Sequence, residues 1–147
     1  IGKIFVPESI LNKKEKLTEK EAEELDHHSS YGANLIRSLP GYDTNDFYKT
    51  IYDVALNHHA RIDGNGSPKG VTDISFATQL ISLIDSFDNL VMFKERFSCK
   101  EAFERIEKGE CGAFSKKVLS LFEKSIKEIS EYYQSLKKEE KSNPVSI

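Results

Sequence analysis

Leu119, Phe122, Ile126, Ile129, Tyr133 and Leu136 recur at alternating steps of three and four residues, a spacing that an α-helix gathers onto one face. A strand would send successive side chains to opposite sides of a sheet and scatter this set. The spacing predicts a long helix over residues 115–138, its stripe read first as a core face and second as the pairing surface of a homodimer. The same period runs through the rest of the chain. Thr18 followed by Glu21 is a capping-box pair, opening a helix over residues 18–39 that Pro40 and Gly41 close. Phe47, Ile51, Val54 and His58 predict a helix over 45–60 with that face buried. Ala77, Ile81, Ile84, Asp88 and Val91 mark a helix over 75–93 with Asp85 beside the stripe, and Ser98 with Glu101 caps a shorter one over 98–108, before Gly109. Between the second and third helices, the run DGNGSPKG at residues 63–70 packs three glycines and a proline into a necessary loop. Residues 1–17, with Pro7 and the polar stretch from Lys13 to Lys16, read as loop and short turn. The expected fold is all-α, a bundle of about five helices forming one domain over 1–138, followed by a polar, flexible tail over 139–147.

Composition narrows the function classes. A chain of 147 residues that is 38% hydrophobic suits one domain with one core. Its net charge of -3, mixed in sign along the chain, offers no broad basic surface to duplex nucleic acid. No apolar run approaches the roughly 18 residues of a membrane span, and the first ten residues do not read as a signal peptide. Cys99 and Cys111 match no zinc spacing and read as free thiols in a reducing, cytoplasmic compartment. With no initiating methionine, the chain reads as a fragment or a processed form.

The four histidines fall in two adjacent pairs, His27-His28 and His58-His59. Leu25, His28 and Gly32 share a helix face, which turns His28 toward the core and His27 away, while Gly32 leaves room for a close backbone or ligand approach. His58 shares the apolar face of its helix with Val54, and His59 lies about 100° further round, so both can reach one cavity from a helix end. A lone histidine on an apolar face is more often a hydrogen-bonded core residue than a ligand. Three aimed at one region point instead to a metal. With Asp85 or Asp88 from a third helix they make a mixed nitrogen and oxygen set that suits iron, manganese or zinc rather than calcium. Asp63 opens the glycine-rich loop, where an Asp-Gly pair is first a turn signal and second a ligand. Lys3 by itself reads as a surface cation.

The run His58-His59-Ala60-Arg61-Ile62-Asp63-Gly64-Asn65-Gly66-Ser67-Pro68 resembles the HD-GYP signature His-His-Glu-x-x-Asp-Gly-x-Gly-Tyr-Pro, departing from it at Ala60 and Ser67. Gly2-Lys3-Ile4 with Pro7 resembles the segment just after that family's His-Asp dyad. His28 with Gly32-Ala33 resembles its next histidine motif, and Asp85 with Asp88 its later Ala-Asp-x-x-Asp segment. The likeness spans residues 1–122. It implies an HD-domain-like helical fold in which His28, His58, His59 and Asp85 are metal ligands and Lys3 is a catalytic residue contacting the substrate phosphate or leaving group. Asp63, Gly66 and Pro68 would lie on the substrate side. Two or three divalent transition metal ions, iron or manganese, would serve hydrolysis of cyclic di-GMP, to pGpG or GMP, or of a related cyclic dinucleotide in bacterial second-messenger signalling. A GGDEF-type or response-regulator protein is the implied partner. The dyad itself would lie upstream of Ile1, so the chain reads as the carboxy-terminal portion of such a domain. Ala60, Ser67 and Gln79, the last standing where the family has arginine, favour the alternative of a degenerate module that binds a cyclic dinucleotide or a protein without hydrolysis. The retained histidines and Asp85 oppose it.

Overall fold

The computed structural model describes residues 1–93 and 97–142, apart from the side chains of 93 and 137–142. All regular structure among these residues is helical, as expected. A 3-10 turn, Gly2–Phe5, leads into α1 (Glu8–Leu11), α2 (Glu19–Asp26) and α3 (His28–Arg37). A second such turn, Tyr42–Thr44, precedes α4 (Asp46–Asn57). Then come α5 (Phe76–Asp88), a π turn (Asn89–Phe93), α6 (Cys99–Glu107) and α7 (Lys116–Ser142). The chain divides into two compact units, Ile1–Ser82 and Leu83–Ile147, with the division inside α5.

In the first unit the Thr18 capping box forms as read, with Glu21 accepting from the Thr18 amide at 2.8 Å and Lys13 pairing with Glu21 at 2.6 Å. The single helix expected over 18–39 is broken, however, at His27, which caps α2 and starts α3. Tertiary packing places α3 instead. Gly2 lies so close to it that a Cβ there would meet the His28 carbonyl oxygen at 1.8 Å and the Gly32 amide at 2.6 Å. The close approach foreseen for Gly32 is thus made by backbone. α3 packs on α4 and on the turn Gly2–Phe5, and its Ala33 and Ile36 are buried. The expected burial of one α4 face is met only in part: Ile51, Val54 and His58 are half-buried, but Phe47 is 66% exposed. α4 packs mainly on α3 and the turn Tyr42–Thr44, which leaves the rim of its first turn uncovered.

α5 corrects the stripe read for it. Ile81 and Ile84 are exposed, at 44% and 42%, while Thr78 and Ser82 are buried within 1%. Periodicity counts hydroxyls as polar, yet a hydroxyl is buried at little cost when it is hydrogen-bonded. Thr78 donates to Asp53 Oδ2 on α4 at 2.5 Å, Ser75 donates to the same oxygen at 2.8 Å, and Asn57 donates to Asp53 Oδ1 at 2.8 Å. Burial works to raise the Asp53 pKa, but the hydrogen bonds from Thr78, Asn57 and Ser75 outweigh it and hold the carboxyl below its ordinary value. Losing this hub in Asp53→Ala is expected to cost about 1–3 kcal/mol. Because the folded-state pKa is depressed, the ionic part of that stability is present above the unfolded-state pKa of about 4 and disappears as pH falls through the folded-state value. Urea unfolding of wild type and variant should therefore differ fully at neutral pH and less in acid; a pH-independent difference would refute the ionic assignment.

In the second unit the α7 stripe forms as read. Phe122 is buried, and Leu119, Ile126, Ile129, Tyr133 and Leu136 are half-buried. Phe122 meets Phe87 edge-on at 5.0 Å and Phe103 of α6 at 5.5 Å. Tyr133 donates to Asp88 Oδ1 at 2.6 Å, and burial together with that bond pushes the phenol above its usual range. The Ser98 capping box opens α6, and Gly109, at φ 81°, ends it. Cys99 and Cys111 are not joined in a disulfide. α7 continues to Ser142, into the segment read as a tail, whose last five residues lie outside the described residues.

Candidate metal centre

His28 is the first residue of α3 and is 7% exposed; His27, beside it, is exposed, as the helix phase required. α4 ends at Asn57, so His58 is its cap and His59 is already outside the helix. The Nε2 atom of His28 lies 3.2 Å from that of His58 and 3.3 Å from that of His59. Among the described residues these three form the group of potential ligands that converges on one point.

The tautomers follow from the backbone. His28 Nδ1 is hydrogen-bonded to the Leu25 carbonyl, and His58 Nδ1 lies 3.0 Å from the Ala55 carbonyl and 3.2 Å from that of Val54. A carbonyl oxygen only accepts, so both Nδ1 atoms carry hydrogen, and in the Nδ1–H tautomer each ring directs an Nε2 lone pair inward. Two lone pairs meeting at 3.2 Å repel unless a cation lies between them. Imidazole donors about 2.1 Å from one ion stand about 3.0–3.4 Å apart, which these separations match. At His59, burial first, then unfavourable electrostatic interaction with the adjacent His58, His28, Arg61 and Lys3, pushes the pKa down to about 3. The donor set therefore fits a divalent transition metal, with carbonyls fixing the rings from behind as such ligands require.

The chain after His58 is held by hydrogen bonds to three successive carbonyls. Arg61 Nη1 donates to the His58 carbonyl at 3.2 Å, to the Ala60 carbonyl at 2.9 Å and to Ser82 Oγ at 2.6 Å, while Ser82 also donates to the His58 carbonyl. The Ser67 amide donates to the His59 carbonyl at 3.0 Å. Gly66 makes that return possible, because a Cβ there would lie 2.2 Å from the His59 carbonyl oxygen. Sequence reading missed Arg61 and Ser82; the one available signal was a run of hydroxyls, Thr78, Ser82 and Ser86, at steps of four along a largely apolar segment.

The other expected site residues are placed as follows. Lys3 is exposed, in the turn that Gly2 packs against α3, and its charge acts on His59. Asp63 is exposed and accepts from the Asn65 amide at 3.1 Å, the turn role read for it first. Pro68, with Ser67 and Lys69, borders a cleft of about 640 Å³ whose opposite lining includes Glu23, Asp26 and His27. Asp85 belongs to the second unit, where Asn89 donates to its carboxylate at 3.3 Å. Gln79 donates to the Ile74 carbonyl at 2.9 Å, and Ala60 is 2% exposed.

An all-helical chain with three imidazoles drawn to one point defines a helical domain with a histidine centre suited to a metal ion. The chain belongs to the HD domain family, whose pattern matches residues 1–114. It is 32% identical over 148 residues to a cyclic di-GMP phosphodiesterase of Thermotoga maritima, covering 97% of this chain and 39% of that protein. It is also 32% identical over 131 residues to a cyclic di-GMP phosphodiesterase of Pseudomonas aeruginosa, covering 86% and 30%. To the 3'3'-cGAMP-specific phosphodiesterase 3 of Vibrio cholerae it is 36% identical over 92 residues, covering 61% and 19%. The chain thus spans less than two fifths of each of these relatives. No helix among the described residues is long and apolar enough to cross a membrane.

Proposed function

We propose that this chain is part of a cytoplasmic, metal-dependent phosphodiesterase of HD-GYP type that hydrolyses cyclic di-GMP or a related cyclic dinucleotide. The observation that carries the reading is the meeting of His28, His58 and His59 through Nε2 atoms whose tautomers backbone carbonyls set. Two or three iron or manganese ions, when bound, would polarise a phosphoryl oxygen and lower the pKa of a bound water to give hydroxide. His28, His58 and His59 would hold them. Lys3 supplies a cation beside the histidines, where the phosphate of the substrate or the leaving oxygen would be met by its ammonium. Gly66 keeps the loop tight against the His59 carbonyl, and Asp63 and Pro68 shape the approach on the substrate side. A GGDEF-type or response-regulator protein fits as a signalling partner.

One observation favours a second reading, binding without hydrolysis: the buried position of Ala60 carries a methyl where the resemblance expects a carboxylate. The test uses the natural protein containing this chain, assayed for bound metal by elemental analysis and for cyclic di-GMP and 3'3'-cGAMP hydrolysis with added manganese or iron. Bound transition metal with a linear dinucleotide or mononucleotide product is the expected result. Metal and nucleotide binding without turnover would overturn hydrolysis in favour of the second reading, and a metal-free, inactive protein would overturn both.

A further inference from the structure

Two histidines at consecutive positions diverge by about 100° on a continuing helix, and here α4 ends at Asn57, with His58 as its cap and His59 outside it, so both rings approach His28. Stopping there strips the last carbonyls of their intrahelical partners, and each needs another donor. The Asn57 carbonyl takes the Ala60 amide at 2.9 Å, and the His59 carbonyl takes the Ser67 amide. The carbonyls of His58 and Ala60 accept from the Arg61 side chain, with Ser82 of α5 shared between Arg61 and His58. We infer that Arg61 and Ser82 form a latch that fixes the His58–Ala60 backbone in the one geometry that presents both imidazoles to His28, making Arg61 a positioning residue for the metal centre. Its side chain acts through the histidines' own peptide groups and not through a ligand ring. This inference rests on the metal-centre reading above.

The test is cobalt(II) titration of the metal-stripped natural protein, read by visible absorption with no nucleotide present. Arg61→Met keeps the length of the stem and removes the donors; it is expected to weaken cobalt affinity about 10–100-fold and to alter the visible band, the range seen when groups supporting a metal ligand are lost. Arg61→Lys, whose ammonium offers three donors, should recover most of that loss. Ser82→Ala, which removes one donor to the His58 carbonyl, should weaken binding by a smaller factor and carries the test where Arg61→Met does not fold. A role in general stability alone would lower the urea midpoint and leave the cobalt affinity and spectrum of the folded protein unchanged. Wild-type affinity and spectrum in folded Arg61→Met, or in Ser82→Ala where Arg61→Met does not fold, would overturn the latch. Since affinity is read without turnover, a lack of hydrolysis would sink the phosphodiesterase reading and leave this comparison decisive.

Discussion

Replacing His28 by alanine is expected to abolish tight metal binding and to reduce any metal-dependent hydrolysis by at least about 100-fold, the upper end of what is lost when only a supporting residue is changed. His28 Nε2 lies within 3.3 Å of the Nε2 atoms of both other rings, so its removal takes away one of the three converging donors. The metal-free protein should keep most of its stability. The imidazole contributes one hydrogen bond, to the Leu25 carbonyl, and its removal relieves the facing lone pairs at His58. The decisive pair of measurements is metal content after dialysis and the urea midpoint of the stripped protein. Full metal content in a folded His28→Ala protein would refute the ligand assignment. Loss of metal together with collapse of the stripped protein would show His28 to be a packing residue first.

Gly66→Ala is expected to be nearly as damaging for a steric reason. Its Cβ would meet the His59 carbonyl oxygen at 2.2 Å and the Ala60 Cα and Arg61 amide at 2.7 Å. All three are backbone atoms, so no flexible side chain can swing aside. The loop must withdraw, breaking the Ser67 amide bond to His59 and loosening the peptide that aims its ring. A loss of about 2–3 kcal/mol in stability follows from overpacking of this kind, with weakened metal binding beside it. Gly70→Ala is the control. Gly70 sits at φ 82° with nothing within 4 Å of an added Cβ, so it carries only the left-handed backbone cost of about 1–2 kcal/mol and should leave metal affinity unchanged. Equal metal affinity in the two variants would remove the loop from any account of the centre.

The cluster was visible in outline before any coordinates. Two histidine pairs, one within the helix read over 18–39 and one at the end of the helix read over 45–60, pointed to a shared cavity, and helix phase separated inward His28 from outward His27. The reading erred where periodicity was asked to do more than it can. Ile81 and Ile84 have apolar spacing and face solvent, whereas Thr78 and Ser82 are buried because each finds a partner on or just after α4.

By itself, then, the sequence determined the local events: the capping boxes at Thr18 and Ser98, the stop at Gly109, the turn at Asp63 and the stripe of α7. Each depends on groups within a few residues of one another, so composition and spacing suffice to specify it. Only the tertiary structure decided the break at His27, the buried face of α5 and the direction of His59. These rest on Gly2 against Gly32, Asp53 with Thr78, and Arg61 with Ser82, pairs 30, 25 and 21 residues apart. Contacts over such separations are made by packing and by the need to pair every buried polar group, and no local period encodes them.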